Sequence, residues 1–174
     1  MNEKFDEFKK NIRGKRVAVL GIGISNQPLI RYILNMGAKV TACDRKSRKE
    51  IGGVCDEFES MGVKLRLGPN YLCSLDNYDV IFRSPSLRPD NPSLISAMER
   101  GAYVTSEIEE FIKYCPGMVI GVTGSDGKTT TSTLIYNILC AQGYKVWLGG
   151  NIGTPLFDKL DDISDKDKVV LELS

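Results

Sequence analysis

The run Gly121-Val-Thr-Gly-Ser-Asp-Gly-Lys-Thr-Thr130 sets a lysine and two threonines directly behind a glycine-rich bend. An apolar segment precedes it and a helical pattern follows. Main-chain amides in such a bend can cradle phosphates, with Lys128 reaching the β and γ phosphates and the Thr129 hydroxyl helping to hold Mg²⁺. The strict phosphate-loop spacing asks for glycine at position 122. Val122 stands there, and the glycine comes one place earlier. A fortuitous Gly-Lys-Thr on a surface helix is the competing reading.

Three further groups could take part in the same chemistry. Glu172 lies inside the apolar run 169–173. A carboxylate there is costly if buried alone, so it reads as a metal ligand near the phosphate loop, unless that strand face meets solvent. The loop Gly149-Gly-Asn-Ile-Gly-Thr-Pro155 follows a strand at the end where open α/β sheets carry their ligand loops. Its composition suits a plain structural turn equally well. Near the N-terminus, Gly21-Ile-Gly-Ile-Ser-Asn26 also joins a strand to a helix, the setting of a dinucleotide-type fingerprint. Asn26 occupies the third glycine position, and a tight turn without ligand remains an alternative. Asp44 closes the next strand, where an acid could accept from a ribose or a base.

Composition narrows the chemistry. The chain has 174 residues, no histidine and a net charge of +1. No His-bearing triad, His-ligated zinc or imidazole base can come from this polypeptide. The near-neutral balance gives no electrostatic case for a nucleic-acid partner. Five scattered cysteines contain no CxxC pair, which suits a reducing, cytoplasmic setting rather than a zinc knuckle or redox dithiol. No apolar run is long enough to span a membrane, and residues 1–15 lack the apolar stretch of a signal peptide.

The elements that must hold these groups alternate. Strands are expected at 16–20, 39–43, 63–67, 79–82, 103–105, 118–122, 145–148 and 168–173. Helices are expected at 26–36, 48–61 (interrupted at Gly52-Gly53), 92–100, 106–114 and 127–142. Repeated strand–helix–strand units mean a mostly parallel sheet in an α/β fold. The cycle restarts after Cys115-Pro116-Gly117, so two domains are expected, 1–115 and 116–174. The second would carry three strands and stop on its last one. That is read as a sign of truncation, since a three-strand parallel sheet leaves faces uncovered.

In this combination the chain resembles the Mur ligases, whose ATP loop displaces the first glycine as 122–130 does. The pairing of 149–155 with Leu171-Glu-Leu-Ser174 is most similar to the branch that adds D-glutamate to UDP-N-acetylmuramoyl-L-alanine. The resemblance implies a Rossmann-like UDP-binding domain followed by the beginning of a P-loop ATPase domain. It places uridine diphosphate at Gly23, Ile24 and Ser25, with Asp44 and Arg45 at the uracil. The loop Ser84-Pro85-Ser86 corresponds to a substrate-touching Ser-Pro-Gly, from which Ser86 departs. Gly124, Ser125, Asp126, Gly127, Lys128, Thr129 and Thr130 would bind ATP, with Lys128 and Glu172 as the catalytic pair. Thr129 and Glu172 would hold Mg²⁺, and Asn151 and Ser174 would face the muramoyl substrate.

The implied reaction is cytoplasmic peptidoglycan precursor synthesis through an acyl phosphate, with no nucleic-acid or membrane partner. The family is usually monomeric, although exposed sheet edges in so short a chain invite self-association. The family's modified lysine and its histidines lie beyond the motifs present, so the 174 residues alone are expected not to ligate. A non-catalytic UDP-sugar or nucleotide-binding module is the alternative. Another Mur-type enzyme or a folylpolyglutamate ligase is a third reading, which the 149–155 loop disfavours.

Overall fold

The computed structural model describes residues 2–173. They pack as two units, Glu3–Glu107 and a second beginning at Ile108. Both are parallel α/β, as the repeated strand–helix pattern leads one to expect.

The first unit holds five parallel strands in the order β3-β2-β1-β4-β5: β1 (Arg16–Leu20), β2 (Lys39–Asp44), β3 (Lys64–Leu67), β4 (Val80–Phe82) and β5 (Tyr103–Thr105). Chain direction across the sheet reverses between β1 and β4, the switch point where such sheets open a crevice at their strand ends. Val17, Ala18, Val19 and Leu20 of the central strand are fully buried, as a strand covered on both faces requires. Helix α2 (Asn26–Asn35) buries Leu29, Ile30 and Ile33, residues that share one helical face. It ends at Met36 with Gly37 at φ +89°, the left-handed stop for which glycine is suited.

Two details differ from the expected elements, an N-terminal helix and a 3-10 turn, while the expected interruption at Gly52-Gly53 is a full break between helices. Helix α1 (Glu3–Ile12) forms in a stretch that reads only as charged, because Phe5 and Ile12, seven residues apart, supply a narrow buried stripe. The segment 48–61 is two helices, α3 (Arg48–Ile51) and α4 (Val54–Ser60), separated where Gly52 takes φ +80°. A single 3-10 turn, Leu75–Asn77, sits in the stretch between β3 and β4. Helix α5 (Pro92–Glu99) begins as expected, with Pro92 in its first turn and the Asn91 side chain accepting from Ser93 N–H at 3.0 Å.

The second unit contains α6 (Glu107–Tyr114), β6 (Met118–Val122), α7 (Lys128–Ala141), β7 (Val146–Gly150), a 3-10 turn (Phe157–Asp162) and β8 (Lys168–Glu172). Its sheet has the parallel order β6-β8-β7, so the last strand in sequence is central. Val169, Val170 and Leu171 are fully buried there. Asp167, immediately before β8, fastens this strand to its surroundings. It accepts from Ser164 Oγ at 2.5 Å and Trp147 Nε1 at 2.8 Å, and it pairs with Lys145 Nζ at 3.2 Å.

Candidate functional site

The first candidate site is a cleft of about 450 Å³ at the switch point of the five-stranded sheet. Its lining comes from the turns after four strands: 21–26 after β1, 44–46 after β2, Tyr71 after β3 and 84–87 after β4. The turn after β1 is tightly held. Gly21 takes φ +95°, and a Cβ built on it would lie 3.2 Å from the Ser84 Cβ. The Gly21 N–H donates to Cys43 O at 2.6 Å. Asn26 stands where the fingerprint has its third glycine. It is buried, and its amide group donates to Leu20 O at 3.2 Å and Gly21 O at 2.9 Å, clamping the turn from within.

Asp44 is the other clamp. Its Oδ2 accepts from Ile22 N–H at 2.7 Å and its Oδ1 from Lys46 N–H at 2.8 Å. The carboxylate thus ties the end of β2 to the turn after β1. Gly23, Ile24 and Ser25 are exposed in the turn just before α2, whose Asn26 and Gln27 amides both donate back to Gly23 O at 3.1 Å. Ser84 Oγ and Ser86 Oγ lie 2.9 Å apart, so the departure from glycine at 86 places a second hydroxyl at the cleft. Gly23, Ile24, Ser25, Asp44, Arg45 and Ser86 therefore converge on one cavity. Sequence reasoning missed Lys46, Tyr71 and Leu87 there. Tyr71 in particular lies in an irregular connection that offers no pattern to read.

The second candidate site lies wholly in the second unit. Val122 ends β6, and the chain bends through residues 123–127 into α7. Gly127 caps that helix at φ +72° and Gly124 takes φ +154°, both glycine conformations. Lys128 Nζ donates to Gly124 O at 2.7 Å and to Ser125 O at 3.3 Å, so the ammonium lies across its own loop. Ser125, Asp126, Thr129 and Thr130 are exposed along the bend and first helical turn. Ser132 is buried and donates to Lys128 O at 2.8 Å, anchoring that turn.

Glu172 is a buried carboxylate on the central strand. Its Oε2 accepts from Thr129 Oγ1 at 2.8 Å. The reading in which this strand face meets solvent therefore does not describe Glu172. The residue is in register with Val122 on one side and Gly150 on the other. The Asn151 N–H donates to Glu172 O at 2.9 Å, and a Cβ on Gly150 (φ +95°) would fall 2.1 Å from the same oxygen. Gly153, at φ +78°, passes as closely over Leu148 O. Gly150 is thus a packing requirement at the Glu172 backbone, and Gly153 one at the Leu148 carbonyl. Asn151 is exposed beside it, while Ser174 lies outside the described residues.

A hydroxyl and a carboxylate at the mouth of a phosphate-type bend are hard oxygen donors, the set Mg²⁺ prefers. Among the described residues no three His, Cys, Asp or Glu side chains gather into an all-protein metal site. A cation there would complete its shell from bound nucleotide and water, as Mg²⁺ usually does. Among the described residues, too, no helix is long and apolar enough to cross a membrane.

A switch-point cleft on one parallel sheet and a phosphate-type bend on another define a two-unit α/β protein built around strand-to-helix loops. A sequence model described as Mur ligase MurD-like, N-terminal domain, matches residues 15–106, and one described as Mur ligase middle domain matches residues 122–174. The chain belongs to the Mur ligase family. It is 60% identical over 174 residues to a UDP-N-acetylmuramoylalanine--D-glutamate ligase from Clostridium novyi, with 100% of this chain and 38% of that protein covered. Over 175 residues it is 58% identical to the protein of the same name from Clostridium acetobutylicum, again covering 38% of it. The chain therefore spans well under half the length of these relatives. In fold it is similar to the solved structure of a UDP-N-acetylmuramate:L-alanyl-gamma-D-glutamyl-meso-diaminopimelate ligase from Neisseria meningitides. The TM-score is 0.52 at 20% identity, covering 91% of this chain and 52% of that one.

Proposed function

We propose that the chain supplies the uridine-diphosphate-binding part and the first section of the ATP-binding part of a D-glutamate-adding Mur ligase. Functionally the boundary is taken between residues 115 and 116, after α6 ends. The observation that carries the reading is the Thr129–Glu172 pair at the bend that holds Lys128. The names of relatives at 58–60% identity support the choice of branch.

In the proposed reaction the carboxylate of UDP-N-acetylmuramoyl-L-alanine attacks the γ-phosphorus of ATP, giving an acyl phosphate and ADP. The amine of D-glutamate then attacks the acyl carbon and expels phosphate, forming the amide. Phosphoryl transfer of this kind asks a protein mainly for positioning and charge neutralisation. Amides of 124–128 orient the phosphates, and Lys128 exchanges its two loop carbonyls for phosphate oxygens. Thr129 and Glu172 would hold Mg²⁺, which would neutralise charge on the β and γ oxygens. In the first unit, the turn 23–25 and the Ser84 and Ser86 hydroxyls receive the diphosphate, with Arg45 adding positive charge. The chemistry takes place in the cytoplasm, and the full reaction needs groups beyond these 174 residues.

The test is titration of the 174-residue chain with a non-hydrolysable ATP analogue plus Mg²⁺, and separately with UDP-N-acetylmuramoyl-L-alanine and UDP-N-acetylmuramate. Binding of both nucleotide classes is expected, with the analogue lost in Lys128→Ala. Failure to bind either class overturns the reading. D-glutamate-dependent phosphate release by the chain alone overturns the expectation that it is inactive by itself.

A further inference from the structure

Tyr71 is the one aromatic side chain among the described residues that line the switch-point cleft. The ring is supported from behind. It packs on a buried cluster that includes Leu20, Cys43, Leu75 and Ile81. Its backbone is fixed as well. Tyr71 N–H donates to Gly68 O at 3.2 Å, and Gly68 N–H donates to Asp44 O at 2.9 Å and Lys46 O at 3.2 Å. The strap that carries the ring is therefore fastened to the turn after β2, at the end of the cleft occupied by Asp44, Arg45 and Lys46.

The chemistry of the cleft is divided along its length. The exposed turn 23–25 and the paired hydroxyls of Ser84 and Ser86 suit a diphosphate. At the other end Asp44 already serves two backbone amides with its two oxygens. Its carboxylate holds the turn and can offer a ligand only polar contact, so a planar ligand group there finds its apolar contact on an aromatic face. Stacking of a base on an aromatic ring contributes on the order of a tenfold change in affinity per base.

We propose that Tyr71 is the stacking platform for the base of a uridine diphosphate ligand in this cleft, which makes it a binding residue that no motif in the sequence marks. The proposal rests on the reading of the cleft as a uridine diphosphate site. A ring held against the core and tied to the 44–46 turn loses little freedom when a base settles on it. The hydroxyl has no part in this, so phenylalanine serves as well.

The experiment compares UDP with inorganic pyrophosphate on the 174-residue chain, in wild type, Tyr71→Phe and Tyr71→Ala, with uracil H5 and H6 followed by NMR. Wild type and Tyr71→Phe are expected to bind UDP alike and to shift H5 and H6 upfield through the ring current. Tyr71→Ala should bind UDP about tenfold more weakly, lose the upfield shift and keep its pyrophosphate affinity. Equal loss of UDP and pyrophosphate affinity in Tyr71→Ala would make the ring mere support for the strap and overturn the proposal. Unchanged UDP affinity in that variant overturns it too. If wild type binds pyrophosphate but shows no preference for UDP, the uridine reading of the cleft fails along with it.

Discussion

The Thr129 hydroxyl and the Glu172 carboxylate, 43 positions apart in sequence, meet at 2.8 Å. One comes from the first turn of α7 and the other from the central strand of the same sheet. Thr129→Val and Glu172→Gln should each weaken Mg²⁺-dependent binding of an ATP analogue about tenfold or more and leave metal-free nucleotide binding nearly unchanged. Thr129→Ser should behave as wild type. Calorimetric titration with and without Mg²⁺ separates the two effects. Equal losses in both conditions would remove the metal from the explanation.

Gly150 should tolerate no side chain. Its Cβ would fall 2.1 Å from Glu172 O, where a main-chain atom cannot swing aside. Gly150→Ala should cost at least about 2 kcal/mol and lower the melting temperature of the second unit by several degrees. Gly23→Ala, at an open position with no left-handed φ, should stay within about 0.5 kcal/mol of wild type. Thermal unfolding of the two variants side by side checks the contrast.

Asp44→Ala removes both backbone ties at once. The Ile22 and Lys46 amides should then exchange with solvent faster, by a factor measurable in hydrogen-exchange NMR, and uridine diphosphate affinity should fall about tenfold as the turn loosens. Unchanged affinity with faster exchange would confine Asp44 to holding the turn and withdraw it from the ligand.

Asp167 makes the second unit sensitive to acid. Burial works to raise its pKa, but hydrogen bonds from Ser164, Trp147 and Lys145 outweigh it and hold the group at about 2, below its ordinary 3.8. A group depressed in the folded state contributes stability that is present above pH 4 and lost as pH falls through 2. Trp147 is the only tryptophan and bonds to Asp167 directly, so its fluorescence reports the change. Asp167→Asn should melt several degrees below wild type at pH 7, with the gap closing toward pH 2. A gap that persists at pH 2 would place the effect elsewhere.

Much of this was readable from sequence where local chemistry dictates local shape. The buried strand 16–20, the Gly37 stop and the Pro92 start each follow from a few neighbouring residues. The Lys128 bend was legible because a phosphate-type loop has a characteristic order of residues. Glu172 could be flagged because an acid in an apolar run demands a partner, though only the fold could name Thr129 as that partner. Asn26 looked like a defect in a glycine pattern, and the structure makes it a clamp, because its amide reaches two carbonyls that a glycine would leave bare. Helix α1 was hidden by its charges. Tyr71 was hidden more completely, since its place at the cleft depends on strand order and on a strap tied down by main-chain bonds.

Among the described residues β6 and β7 each pair with β8, so neither has a sheet neighbour there until residues 168–172 arrive. The bend at Lys128 leaves the ribosome about forty residues before the strand that joins β6 to β7. Joining of β6 to β7 is thus deferred to β8, which also delivers Glu172. The link between β6 and β7 and the carboxylate arrive as one event, so a nascent chain has no stage at which β6 is joined to β7 through β8 while the phosphate bend lacks its acid.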